Sequence, residues 1–147
     1  MTNLYKAFIS YSHIDDKWGK WLHESLETYK VPAKLVGTNG RDGLIPKRLY
    51  PVFRDREELP TATELSDVIT QALQDSAYLI VICSPHSAKS RWVNEEILAF
   101  KRNEQDDRIL AIIIDGEPNA SEKSHVDNAQ ECFPEALKYK VNDKGEL

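Results

Sequence analysis

Apolar stretches alternate with amphipathic ones along most of the chain. Leu4 to Tyr11 reads as a strand, and the polar break from Ser12 ends in acids suited to a helix N-terminus. Trp18, Trp21, Leu22, Leu26 and Tyr29 then recur at helical spacing until Pro32 stops the run, so this stripe is expected to face the core. From Lys30 the period disappears, and Pro32, Gly37, Gly40, Gly43 and Pro46 mark a long loop or insertion over residues 30–48. Leu49 to Arg54 predicts a short second strand, followed by the charged connection Asp55 to Pro60. Thr61 and Glu64, three apart, form a capping box. A helix is expected from that point, burying Leu65, Val68, Ile69, Ala72 and Leu73. Tyr78 to Cys83 is continuously apolar, as a strand covered on both faces would be. Ser90 and Arg91 open another amphipathic helix, and Ile109 to Ile114 predicts a further buried strand, ended by Asp115-Gly116.

Strands separated by helices imply a parallel sheet with right-handed crossovers and helices on both faces, a flavodoxin-like doubly wound α/β layout. Residues 1–147 are read as one domain with its core over 4–116 and a weakly patterned tail over 117–147. In that tail Cys132 to Val141 offers at most a short strand. A closing strand and helix are expected to be missing, which leaves open a fragment of a larger protein or a domain cut before its last elements.

In such sheets ligands sit outside the carboxyl ends of the strands. That rim would carry Ser10, Tyr11, Ser12 and His13, then Arg54 and Asp55, then Ser84, Pro85 and His86. On the helix after Ser90, Val93, Ile97 and Phe100 share one stripe, Glu95 points away, and Glu96 lies about 65° from the stripe's centre with Trp92 one turn earlier. A half-dry carboxylate beside an indole has a raised pKa and a strong field on a developing positive charge, the setting used in glycosidic-bond chemistry.

Composition changes this picture little. The chain has 147 residues, 41% hydrophobic and 29% charged, with a net charge of −5, ordinary for a globular protein and without the basic footprint of nucleic-acid binding. No apolar run approaches a membrane span, so no membrane insertion and a cytoplasmic home are expected. Cys83 and Cys132 form neither a CxxC pair nor a metal cluster with the histidines, so no metal site is expected and Cys83 reads as a small core residue.

Three motifs resemble the Toll/interleukin-1 receptor (TIR) domain in its bacterial form, over about residues 4 to 116. They are Phe8-Ile9-Ser10-Tyr11; Pro51 to Pro60, which looks like the second strand and the following BB loop; and Ser84-Pro85 with Trp92-Val93-Asn94-Glu95-Glu96. NAD-cleaving members carry a catalytic glutamate four residues after the tryptophan, which selects Glu96. The resemblance implies NAD+ as substrate, with no cofactor, cleaved at the nicotinamide–ribose bond to ADP-ribose or a cyclic isomer. Tyr11, Ser12, His13, Ser84 and Trp92 would line the substrate, with Asp55 and Leu59 entering from the loop. It also implies self-association through Arg54, Arg56, Glu57, Glu58 and Pro60, with activation on forming a homo-oligomer or filament. A bacterial antiphage or signalling role and a C-terminal sensor or repeat region in a longer chain belong to the same expectation. Ser12-His13 stands where an animal NAD-cleaving relative has two arginines, and the 30–48 stretch resembles an insertion in bacterial members. The alternative is a non-catalytic scaffold that recruits other TIR domains. A phospho-receiver is excluded because the central strand ends Ile82-Cys83-Ser84 without an acceptor Asp, and the motifs favour NAD over the free nucleoside of a deoxyribosyltransferase-like enzyme.

Overall fold

The computed structural model describes residues 4–41, 43–54, 65–102 and 106–139. Within them the order is β1 (Tyr5–Ser10), α1 (Asp16–Thr28), β2 (Asn39–Gly40), β3 (Gly43–Leu44), β4 (Val52–Arg54), α2 (Asp67–Gln74) and β5 (Ser76–Cys83), then α3 (Pro85–Ala88), α4 (Arg91–Lys101), β6 (Ile109–Ile113) and α5 (Glu135–Lys138). The four longer strands form one parallel sheet in the order β4-β1-β5-β6, the doubly wound arrangement expected.

The apolar run of β5 is buried because it is central and covered on both faces. On one face Phe8, Leu79, Val81 and Cys83 pack against Ile69, Ala72 and Leu73 of α2 and Val93, Ile97 and Phe100 of α4. On the other, Ala7, Ile9, Tyr11, Ile80, Ile82 and Val52 pack against Leu22 and Leu26 of α1. Adjacent residues of a strand face opposite sides, so Ser10 shares the α4 side with Phe8 and Tyr11 shares the α1 side with Ile9. The Val52 amide donates to the Glu27 carboxylate at 3.0 Å, tying β4 to α1.

Several expectations need correction. Trp18, Trp21 and Tyr29 are exposed, since α1 meets the sheet through Gly19, Leu22 and Leu26, and the two indoles pack on each other edge to face at 5.8 Å. Gly19 is where the Tyr11 ring lies: a Cβ there would come within 2.8 Å of it. Helix α2 begins after Ser66, whose hydroxyl accepts from the Ile69 amide, with Leu65 outside the helix; Thr61 and Glu64 lie outside the described residues. Val68 on this helix is exposed, because the buried arc runs through Ile69, Ala72 and Leu73. Strand β6 is not buried throughout: it forms one edge of the sheet, and Leu110 and Ile113 are exposed. In the tail, Glu135–Lys138 is a helical turn rather than a strand, its C-terminal carbonyls taken by Lys101, which donates to Ala136 and Tyr139 at 2.6 Å.

The 30–48 insertion closes as a hairpin. Val31 donates to Lys47, Gly37 to Ile45 and Ile45 to Thr38, with β2 and β3 antiparallel at the tip, and an Arg41–Asp107 ion pair fastens the tip near the start of β6. An open cavity of about 460 Å³ lined by Lys30, Val31, Ala33, Val36, Lys47 and Arg48 sits at its base. The hairpin leaves from the end of α1 and returns to the start of β4, so it lies at the amino end of the sheet, away from the rim where ligands bind.

Cys83 is fully buried in this core, and burial, with Cys132 adding to it, pushes its thiol up to about 12. A raised thiol pKa means the fold favours the neutral form. Its stabilising contribution is complete below the unfolded value near 9 and is lost as pH rises from there through about 12. Urea midpoints should therefore fall above pH 9, and Cys83→Ala should flatten the fall between about pH 9 and 10, before tyrosines titrate in the unfolded chain. An unchanged slope in the variant would assign the alkaline loss to other groups.

Candidate functional site

Three polar clusters meet at the carboxyl ends of β1, β4 and β5. The first is built on Glu96. Ser90 caps α4 by accepting from the Val93 amide, and the helix buries Val93, Ile97 and Phe100 against the sheet. Glu96 is thereby drawn inward to 2% exposure, deeper than the half-dry position expected. The buried Ser10 hydroxyl donates to Glu96 Oε1 at 2.7 Å. A carboxyl fixed in a water-poor setting is, once ionised, a preorganised negative charge, suited to stabilising a positive charge that develops beside it. Glu95 stays on the outer side, as expected.

The second cluster lies between β1 and β5. Ser84 is fully buried, and its hydroxyl donates to Asp15 Oδ2 at 2.5 Å while accepting from the amides of His86 and Ser87. Ser87 reciprocates by accepting from the Ser84 amide, closing a capping box on α3. Ser84, expected to line the substrate, is thus turned into the protein, where it fixes the loop after β5. Ser12 is similarly engaged, its hydroxyl accepting from the Ile14 amide at 3.3 Å.

The third cluster is on the α1 side. The Tyr11 hydroxyl donates to Asp16 Oδ1 at 3.1 Å, and Arg54 Nη1 donates to the same oxygen at 3.2 Å. Burial pushes the Tyr11 hydroxyl up to about 12, against the opposing charge of Arg54 and with Asp16 adding to it. Tyr11 is therefore a neutral donor at physiological pH. Arg54, expected in a self-association surface, is directed inward: its side chain is 8% exposed.

His13 is exposed, with its ring 6.4 Å from that of Tyr11. Trp92 is half-buried on the turn before Glu96, and the Arg91 guanidinium stands 5.3 Å over its ring, covering a face that was expected to be a substrate wall. Asp55 and Leu59 from the substrate set, and Arg56, Glu57, Glu58 and Pro60 from the self-association set, lie outside the described residues. The structure thus brings Ser10, Tyr11, Ser12, Ser84, Trp92 and Glu96 to one rim. Two residues that shape it were outside the expected substrate set: Ser10, read only as part of the rim, and Asp15. Ser10 could have been found as the partner of Glu96, since it shares a strand face with Phe8. Asp15 reads locally as a helix-capping acid, and nothing in its neighbourhood signals a contact with Ser84.

Comparison with known proteins adds three findings. The family described as TIR domain matches residues 7–138. "NAD(+) hydrolase ApTIR" of Actinoplanes sp. is 34% identical over 115 residues, which is 77% of this chain and 14% of that protein, so the chain spans a small part of this relative. Among solved structures, the TIR domains of the activated Roq1 resistosome directly recognizing the pathogen effector XopQ align at 19% identity with a TM-score of 0.47. That alignment covers 74% of this chain and 55% of theirs.

Proposed function

The chain belongs to the TIR domain family, and on that premise we propose that it cleaves the nicotinamide–ribose bond of NAD+, with Glu96 as the catalytic carboxylate. The observation that carries the reading is the buried Glu96 held by Ser10 at the carboxyl rim of the sheet. The relative named as an NAD(+) hydrolase supports it. In the reaction the bond between C1′ of the ribose and the pyridinium nitrogen breaks. Its electron pair goes to the ring, and neutral nicotinamide departs. The positive charge left on the ribose is oxocarbenium-like, and a fixed carboxylate beside it lowers the barrier. Attack of water on C1′, with loss of a proton, gives ADP-ribose, and attack by a nucleophile within the substrate gives a cyclic isomer. Trp92, with Arg91 over one face of its ring, bounds the nicotinamide end, and Tyr11, its proton given to Asp16, orients the Asp16–Arg54 pair from the far side of β1. Consumption of NAD+ in this way fits an effector in antiphage defence or signalling.

Glu96 at 2% exposure is nearly closed to substrate. We therefore place this chain in a resting state that self-association opens. Turnover per molecule should then rise with protein concentration; full, concentration-independent turnover in dilute monomer would contradict this activation. The same burial favours a second reading, in which Glu96 is a core residue of a non-catalytic TIR scaffold. Nicotinamide release that depends on Glu96 separates the two.

A further inference from the structure

We propose that Arg54 is the anchor for the diphosphate of the dinucleotide, an inference that rests on the NAD+ reading above. A guanidinium carries five N–H donors and is seldom buried without acceptors around it. Arg54 is 8% exposed at its side chain; among the described residues its Nη1 donates to Asp16 at 3.2 Å, and the guanidinium also hydrogen-bonds the Tyr11 hydroxyl. Among the described residues its buried Nε has no hydrogen-bond partner. Asp16 is itself 60% exposed, so the pair opens toward solvent on the acidic side and keeps its cationic side within the rim. Burial of unused donors on a cation is unfavourable unless a ligand supplies the acceptors.

Position identifies the ligand group. Arg54 is the last residue of β4 and is in register with Ile9, immediately before the Ser10 that holds Glu96. Its side chain shares the α1 face with Ile9, whereas Ser10 and Glu96 lie on the α4 face, so the two groups flank the carboxyl end of β1 from opposite sides of the sheet. A dinucleotide lying over that end, with its nicotinamide ribose toward Glu96, would carry its phosphates past the end of β1 toward Arg54. A planar guanidinium matches phosphate oxygens in a bidentate fork, which a lysine does not reproduce. Asp16 and the Tyr11 hydroxyl hold the fork at the rim from the α1 side.

The role is tested by binding to the full chain carrying Glu96→Gln, so that substrate is not consumed, at protein concentrations that support assembly. NAD+ is compared with nicotinamide riboside, which presents the same nicotinamide and ribose without phosphate. Arg54→Met should weaken NAD+ binding about tenfold or more while leaving nicotinamide riboside unchanged, and Arg54→Lys should fall between. Equal weakening of both ligands would make Arg54 a structural residue and overturn the inference. So would undiminished NAD+ binding in Arg54→Met, and in that case the NAD+ reading stands. Failure of the parent Glu96→Gln protein to bind NAD+, together with no cleavage by wild type, would overturn the inference and the reading beneath it.

Discussion

Replacing Glu96 by glutamine is expected to cut NAD+ turnover about a hundred- to a thousandfold while leaving the fold in place. The substitution keeps the volume of the side chain in a tightly packed position and keeps an oxygen able to accept from Ser10 at the 2.7 Å site. It removes the negative charge. In a water-poor site that charge acts on the developing oxocarbenium with little screening, and it acts more strongly on the transition state than on the ground state. The loss should therefore appear in kcat, with KM for NAD+ little changed. Steady-state kinetics and thermal melting of the same preparations check both halves. A variant with lost activity and a collapsed melting transition would show only that the core had failed, and a variant with full activity would remove Glu96 from the chemistry.

Ser84→Ala is expected to produce the largest loss of stability at the rim, about 2–4 kcal/mol. One hydroxyl there serves both sides of a junction. It donates to the buried Asp15 carboxylate and accepts from two amides at the start of α3. Alanine would leave a buried carboxylate without this donor and the helix start without its cap. Ser90→Ala, which removes a cap from α4 and no carboxylate contact, should cost about 1 kcal/mol. Urea denaturation of the two variants gives the comparison directly. Equal effects would mean that the Asp15 contact contributes little.

The parts of the fold that were legible in the sequence are those where burial imposes a strict period. The unbroken apolar run to Cys83 could only be a central strand, and Val93, Ile97 and Phe100 fixed the face of α4 and hence the inward flank on which Glu96 lies. Where the pattern fits more than one placement, it misled. Trp18 and Trp21 share the helical spacing of core residues, yet the sheet contacts α1 along a narrower strip, so the indoles were left to pair outside it. The site was less legible than the fold. A three-residue strand such as β4 has too little alternation to reveal its inner face, so the burial of Arg54 could not be read from its neighbours. The Asp15–Ser84 contact joins residues 69 apart in sequence, and such a pairing exists only once β1 and β5 are side by side.

The most direct measurement is nicotinamide release from NAD+, with products separated by chromatography, for wild type and Glu96→Gln side by side at assembling protein concentrations and with a crowding agent. Nicotinamide with ADP-ribose or a cyclic isomer is expected from wild type and only background from the variant. Equal release from both proteins, or none from wild type under any assembling condition, would contradict the NAD+ reading.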